Sequence, residues 1–322
     1  MPRALIVAGP TASGKSALAL DLARRLGGVV INADSMQLYA ELRVLTARPT
    51  PAEEAAVPHR LYGVRPAAEA ASVAWWRAQA LAEMAAARAA GRLPILCGGT
   101  GLYFLSLTEG LSELPPVPAE ARAAARALLA ERGAPALHAL LAAADPTTAA
   151  TLRPGDSQRL ARAWEVWSGT GRGLAAWQRE GAHSGPAPWT FAAILLDPPR
   201  EALRVAIAAR FDAMLAGGAL AEVRALGALG LDPALPAMRA HGVPELLAHL
   251  RGAMPLEAAR ERSVLNTGQY TKRQATWFRH HSLTHPGADP SLTHIIHARM
   301  GEQTQFQESA AAEIFAFLHR GR

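Results

Sequence analysis

The 322-residue sequence has one cysteine and only two lysines, and it contains no long apolar run. Each scarcity excludes something. Cys97 alone permits neither an internal disulfide nor a cysteine-based zinc site, and its apolar neighbours predict a buried, inert thiol. No stretch approaches the roughly 20 apolar residues of a membrane span, and the opening "MPRALIVAGP" is too short for a signal segment. The chain is therefore read as a cytoplasmic monomer with no membrane partner. It also lacks a repeat of fixed period, and its richness in alanine, leucine and arginine is a bias that favours helices.

Of the 33 basic residues, all but Lys15 and Lys272 are arginines. A lysine is thus an informative choice in this chain, and Lys15 stands in "GPTASGKS", residues 9–16. That spelling is a complete P-loop, preceded by the strand-like "ALIVAG" (4–9) and followed by "SALALDLARRLG", whose leucines recur at helical spacing up to Gly27. Glycines let the backbone N–H groups of Gly9, Thr11, Ala12, Ser13 and Gly14 turn toward phosphate oxygens at the positive end of a helix, while Pro10, which has no N–H, is part of the same diphosphate-binding loop through its shape. Lys15 then reaches the outer oxygens, and Ser16 is the candidate ligand of Mg²⁺. An ordinary glycine-rich turn is the bland alternative; four matched positions with the right flanks stand against it.

Three apolar segments, 4–9, 28–33 and 93–99, read as buried parallel strands with helices between them, as in residues 72–91. The fold class is α/β: a P-loop parallel sheet with helices on both faces, ligands at the carboxyl ends of its strands, and an all-helical insertion. The proline cluster "ELPPVPAE" (113–120) opens that insertion, and "GAHSGPAPW" (181–189) ends it. The expected domains are a discontinuous core of 1–112 and 189–322, and a helical domain of 113–188.

Strand two runs into "NADSMQLY", setting Asp34 at the phosphate rim as a metal ligand, a general base or merely a helix cap. Strand three runs into "GGTGLYF", where Thr100 either donates to a departing diphosphate or caps the next helix. In "GDSQRLARAWEVW", Asp156 is the expected N-cap, and Gln158, Arg159 and Arg162 form either a phosphate-contacting or a solvated face. Late in the chain, "NTGQYTKRQATWFRHH" mixes Lys272, Arg273 and Arg279 with Tyr270, Trp277 and Phe278, the blend nucleic-acid contacts use, although the aromatics can equally be core. His280, His281 and His285 lack the partners for a zinc site. The net charge of +6 suits a polyanion and does not by itself prove one.

Together "GPTASGKS", "INADSMQLY", "CGGTGLY", "SQRLARAWEV" and "QYTKRQATWF" resemble the bacterial tRNA dimethylallyltransferases, over residues 4 to about 280. The resemblance implies transfer of a dimethylallyl group from dimethylallyl diphosphate to N6 of the adenosine just 3′ of the anticodon, with diphosphate and Mg²⁺ held at the P-loop. It implies Asp34 as general base, with Thr100 and Lys15 completing the catalytic set, and Arg224 near the diphosphate. The partner is the tRNA anticodon stem-loop, contacted through Asp34, Ser35, Met36, Gln37, Thr100, Gln158, Arg159, Leu160, Ala161, Arg162, Arg239, Ala240, His241, Gly242, Val243, Lys272 and Arg273. The adenosine must leave its stack to react.

Two departures stand out: Leu45 and Arg48 where the family has glycine and lysine, and Val243-Pro244 where an aromatic and a base are common. The rival readings are a P-loop small-molecule kinase, an adenylate isopentenyltransferase, and a nucleotide-gated RNA-binding protein without catalysis.

Overall fold

The computed structural model describes residues 1–112, 114–180, 183–300, 314, 316 and 317. It separates into two compact units, one of residues 1–109 and 186–322 and one of residues 110–185.

The first unit is built on a parallel sheet. Apolar runs bounded by turn residues give β1 (Arg3–Ala8), β2 (Gly28–Asn32), β3 (His59–Arg60) and β4 (Leu93–Gly98), separated by α1 (Lys15–Leu26), α2 (Pro51–Ala56) and α3 (Val73–Ala89). Beyond β4 comes α4 (Gly101–Thr108). The sheet order is β3-β2-β4-β1-β7-β8, in which β7 (Thr190–Leu196) and β8 (Thr293–Ile296) come from the far part of the chain. Every pairing within it is parallel.

Successive strand residues alternate faces, so β1 feeds two cores. Ala4, Ile6 and Ala8 pack with Trp76 of α3, Phe104 of α4 and Phe278, while Leu5 and Val7 pack with Leu18 and Leu22 of α1. The central strands are buried on both sides, which is why they read as continuous apolar runs. The segment "AAAEIFAFLHR" (310–320), whose pattern reads as an amphipathic helix, lies outside the described residues except at Ile314, Ala316 and Phe317, of which Ile314 and Phe317 are buried against the α1 face.

A third core gathers α9 (Arg200–Ala216), α10 (Ala219–Ala228), α11 (Val243–Leu250) and α12 (Leu256–His280) around Tyr39, Leu42, Phe211 and Val243. α12 is long enough to serve two cores, because Ala259 belongs to this cluster and Phe278 to the sheet's.

The second unit contains α5 (Ala119–Ala144), α6 (Pro146–Ala149), α7 (Ser157–Thr170) and α8 (Leu174–Glu180), with a small core of Leu137, Leu141, Leu160 and Ala163. α5 is broken at Gly133, whose φ of 75° is non-helical. The unit is not purely helical: β5 (Leu111–Ser112) and β6 (His183–Ser184) form an antiparallel pair. Two-residue strands carry no periodic signal, so helical spacing hides them.

Candidate active site

The P-loop joins β1 to α1, as its flanks require. Gly14 occupies the left-handed region at φ 90° and caps α1, and Ala12 also has positive φ, 66°. Lys15 is buried, and its Nζ donates to the Pro10 carbonyl at 3.4 Å. Burial pushes its pKa below that of an ordinary lysine, the Arg210 cation adds to this, and the Asp34 carboxylate opposes it. The loop is braced from outside by the segment after β8: Arg299 Nε donates to Ala12 O at 2.9 Å and Met300 N to Ser13 O at 3.0 Å. Ser16 is exposed at the start of α1 and is hydrogen-bonded to the Cys97 thiol, whose pKa burial pushes up to about 11.

Asp34 sits where β2 ends, and Asn32 fixes it there. Asn32 is fully buried; its Oδ1 accepts from Asp34 N at 2.8 Å, while its Nδ2 donates to Asp34 O and Leu61 O, each at 2.9 Å. Its own carbonyl accepts from Trp76 Nε1 at 2.8 Å. Asp34 Oδ1 accepts from Met36 N at 3.0 Å, and among the described residues no hydrogen bond engages Oδ2. The carboxylate therefore caps its own turn with one oxygen and leaves the other for chemistry.

Thr100 stands at the N-cap position of α4 but makes no capping bond. Its Oγ1 instead accepts from Ser35 N at 3.0 Å, and Thr100 N donates to Ala33 O at 3.2 Å, so the turns after β2 and β4 are laced together. The approach is so close that a Cβ on Gly98 would lie 2.1 Å from the carbonyl carbon and oxygen of Ala33.

Asp34 is the carboxylate common to a whole ring of groups. Burial lowers the pKa of Lys15, Arg210 and His241 and the Asp34 carboxylate opposes that shift, while it adds to the burial that raises Tyr62, Tyr103 and Tyr270. Burial is the largest cause in each case, and in His241 the neighbouring Arg273 also lowers the pKa. The His241 and Tyr270 rings stand 4.7 Å apart.

Arg210 was not singled out by sequence. It projects from α9, donates from Nη2 to Thr46 O at 3.4 Å, and interacts electrostatically with both Lys15 and Asp34. Arg224, carried over by resemblance, is exposed on α10. No residue pattern distinguishes Arg210 from the other arginines of helical stretches; only the packing of α9 does. Gln274 of α12 was likewise passed over in favour of its neighbours Lys272 and Arg273, which are exposed.

The other tRNA candidates divide by exposure. Gln158, Arg159 and Arg239 are exposed, whereas Leu160, Ala240 and Val243 are buried and spend their side chains on core packing. Asp156 caps α7 by accepting from Arg159 N, and Arg162 pairs with Glu165. The Gln37 amide holds the following loop by donating to Thr46 O and Ala47 O at 3.0 and 2.8 Å. Ser35 and Met36 are half-buried beside Asp34, and Ala161, His241 and Gly242 lie within or next to helices α7 and α11.

Residues 37–281 match the IPP transferase family model. The chain is 61% identical over 315 residues to a tRNA dimethylallyltransferase of Acidiphilium cryptum (strain JF-5), covering 98% of this chain and 94% of that one. It is 59% identical over 316 residues to a tRNA dimethylallyltransferase of Granulibacter bethesdensis, covering 98% of each. Among solved structures it resembles the full-length tRNA isopentenylpyrophosphate transferase of Bacillus halodurans, with a TM-score of 0.68 and 28% identity over 100% of this chain and 98% of that one. A eukaryotic dimethylallyltransferase acting on tRNA shares the fold at a TM-score of 0.76 and 23% identity, over 98% of this chain and 78% of that one.

Proposed function

The chain belongs to the IPP transferase family, and from that premise we propose that it is a tRNA dimethylallyltransferase using the P-loop to hold the diphosphate it discards. The carrying observation is that one free carboxylate oxygen, on Asp34, shares its surroundings with two cations, the buried Lys15 and the half-buried Arg210. A base and a diphosphate cradle at one place suit displacement of diphosphate by a weak amine.

In the reaction the allylic carbon–oxygen bond breaks and a bond from that carbon to N6 forms. The bonding electrons leave with the diphosphate, and the N6 proton passes to Asp34. Of the loop N–H groups expected to face phosphate, Thr11 N–H is engaged by Gln274 and Ser13 N–H by Pro10 O, so Lys15, Arg210 and the N–H groups at the start of α1 are the donors fixed in advance where negative charge develops, and little reorganisation accompanies bond breaking. Met300 holds the Ser13 carbonyl outward, and in a planar trans peptide this turns the Gly14 N–H the other way. Thr100, tied to Ser35, keeps the turn carrying Asp34 in register with the β4 turn.

Among the described residues no group of three His, Cys, Asp or Glu side chains can hold a metal ion. Mg²⁺ fits here as a companion of the diphosphate, with the Ser16 hydroxyl as a hard protein ligand and phosphate oxygens supplying others. When bound, it neutralises charge on the leaving group. The tRNA partner is met through exposed basic residues, with Arg159, Arg239, Lys272 and Arg273 the foremost candidates.

The test is transfer of label. Unmodified tRNA incubated with labelled dimethylallyl diphosphate should acquire the label at adenosine, whereas ATP with nucleosides should yield no labelled phosphate ester. Asp34→Ala should keep pyrophosphate and tRNA affinity while slowing turnover by about 10²–10⁴-fold, the range of general base catalysis. Unchanged turnover in that variant would remove Asp34 from the chemistry.

A further inference from the structure

Gln274 is a buried polar side chain that the mechanism above does not use. It sits on α12, between Arg273, which is exposed, and Ala275. Its Oε1 accepts twice from the P-loop, from Thr11 N at 2.9 Å and from Thr11 Oγ1 at 3.1 Å. Its Nε2 donates to Gly99 O at 2.9 Å, in the turn after β4. The fit is tight: a Cβ on Gly99 would lie 2.3 Å from that nitrogen.

One amide thus joins the two loops on which the reaction depends. Thr11 belongs to the loop that cradles the leaving group, and Gly99 adjoins Thr100, which is bonded to the turn of Asp34. We infer that Gln274 is a positioning residue for prenyl transfer, a spacer that sets the separation between the diphosphate cradle and the turns that carry Thr100 and Asp34. This rests on the activity proposed above.

The chemistry of the bridge is directional. Thr11 offers two donors and Gly99 an acceptor, so the bridging group must accept at one end and donate at the other. A primary amide of this length does both. A leucine does neither, and an ionised glutamate sets oxygen against the Gly99 carbonyl. A protonated glutamate again presents an acceptor and a donor, so the same variant restores the bridge when it takes up a proton. An exposed Glu carboxyl titrates near ~4.3, and burial raises that value.

The experiment compares the full-length protein with Gln274→Leu and Gln274→Glu in single-turnover prenyl transfer at saturating dimethylallyl diphosphate and tRNA, across acidic to neutral pH. Pyrophosphate affinity is measured by calorimetry alongside. For Gln274→Leu we expect a rate lower by about 100-fold, the cost of misplacing reacting groups by about 1 Å, with tRNA affinity unchanged. For Gln274→Glu we expect a comparable loss at neutral pH, and a rate relative to wild type that recovers as pH falls. Packing alone would not give that relative recovery.

Rates within about threefold of wild type in both variants would overturn the inference, as would a pH-independent ratio for Gln274→Glu equal to that of Gln274→Leu. If the unaltered protein transfers no label to tRNA, the proposed activity fails and the spacer is judged on pyrophosphate binding. It then stands if Gln274→Leu binds pyrophosphate several-fold more weakly and Gln274→Glu recovers affinity toward acidic pH relative to wild type; equal affinities would refute it.

Discussion

At the scale of single residues, the buried Lys15, Asn32 and Gln274 of the site are each hydrogen-bonded, to Pro10 O, to the Asp34 turn and to Thr11 and Gly99. Lys15 shows the consequence. Its ammonium is destabilised by burial, so in the free protein it gives up its proton at a lower pH than an exposed lysine does. Diphosphate binding needs the protonated form. Pyrophosphate affinity measured by calorimetry should therefore fall as pH rises through that lowered pKa, at less alkaline pH than for an ordinary lysine, and Lys15→Met should weaken binding and remove the dependence. Cys97 is shifted the other way, to about 11, so its thiol is neutral at pH ~8 and unreactive while buried. Iodoacetamide should label the native protein slowly and the urea-unfolded protein rapidly; equal rates would mean the thiol is accessible. The P-loop was legible as the connection between a strand and a helix because its spelling is fixed by backbone chemistry, and Asp34 was legible as the residue just past the end of β2. Arg210, Asn32 and Gln274 were not, since a half-buried arginine or a buried amide looks like any other until tertiary contacts give it partners.

Elements follow the same logic at longer range. β1, β2 and β4 were readable as apolar runs, because a strand buried on both faces has no polar side to interrupt it. β3 and β8, at the two edges of the sheet and half exposed, carry no such signal. The close approach of the β2 and β4 ends was hidden too, because "CGGTG" reads as a generic turn and only the structure shows the Ala33 carbonyl against Gly98. Gly98→Ala should destabilise the protein by about 1–3 kcal/mol through overpacking, and slow prenyl transfer beyond that loss of folded protein, since the Asp34 turn must give way. Differential scanning calorimetry beside rates at a temperature well below the transition separates the two effects. On α7, Arg159 and Arg162 make local ion pairs, to Asp156 and Glu165. If both neutralise tRNA phosphates, Arg159→Ala with Arg162→Ala should flatten the plot of log affinity against log salt by about 0.7–0.9 per lost contact. An unaltered slope would leave that face merely solvated.

For the whole molecule, the decisive fact is where the second unit leaves and rejoins the chain. Ala187 N donates to Leu107 O at 2.8 Å, within the first unit, so the chain on either side of residues 110–185 is already hydrogen-bonded together. Ala187 and Trp189 pack with Leu107 in the core on the α3 face of the sheet. The second unit has its own core around Leu137, Leu141 and Leu160. Among the described residues each of these cores is made from its own unit, and a loop that closes over an existing hydrogen bond costs little entropy. Replacing residues 110–185 with a short glycine linker should therefore leave a cooperatively unfolding protein whose pyrophosphate affinity stays within about threefold of the parent, because Lys15, Arg210 and Gln274 all remain. The same protein should modify tRNA far more slowly, as it lacks Gln158, Arg159 and Arg162. Circular dichroism melts, calorimetry with pyrophosphate and the label-transfer assay decide between the outcomes. Loss of pyrophosphate binding would show that the cradle depends on the helical unit; tRNA modification at the full rate would show that the helical unit contributes nothing to the substrate.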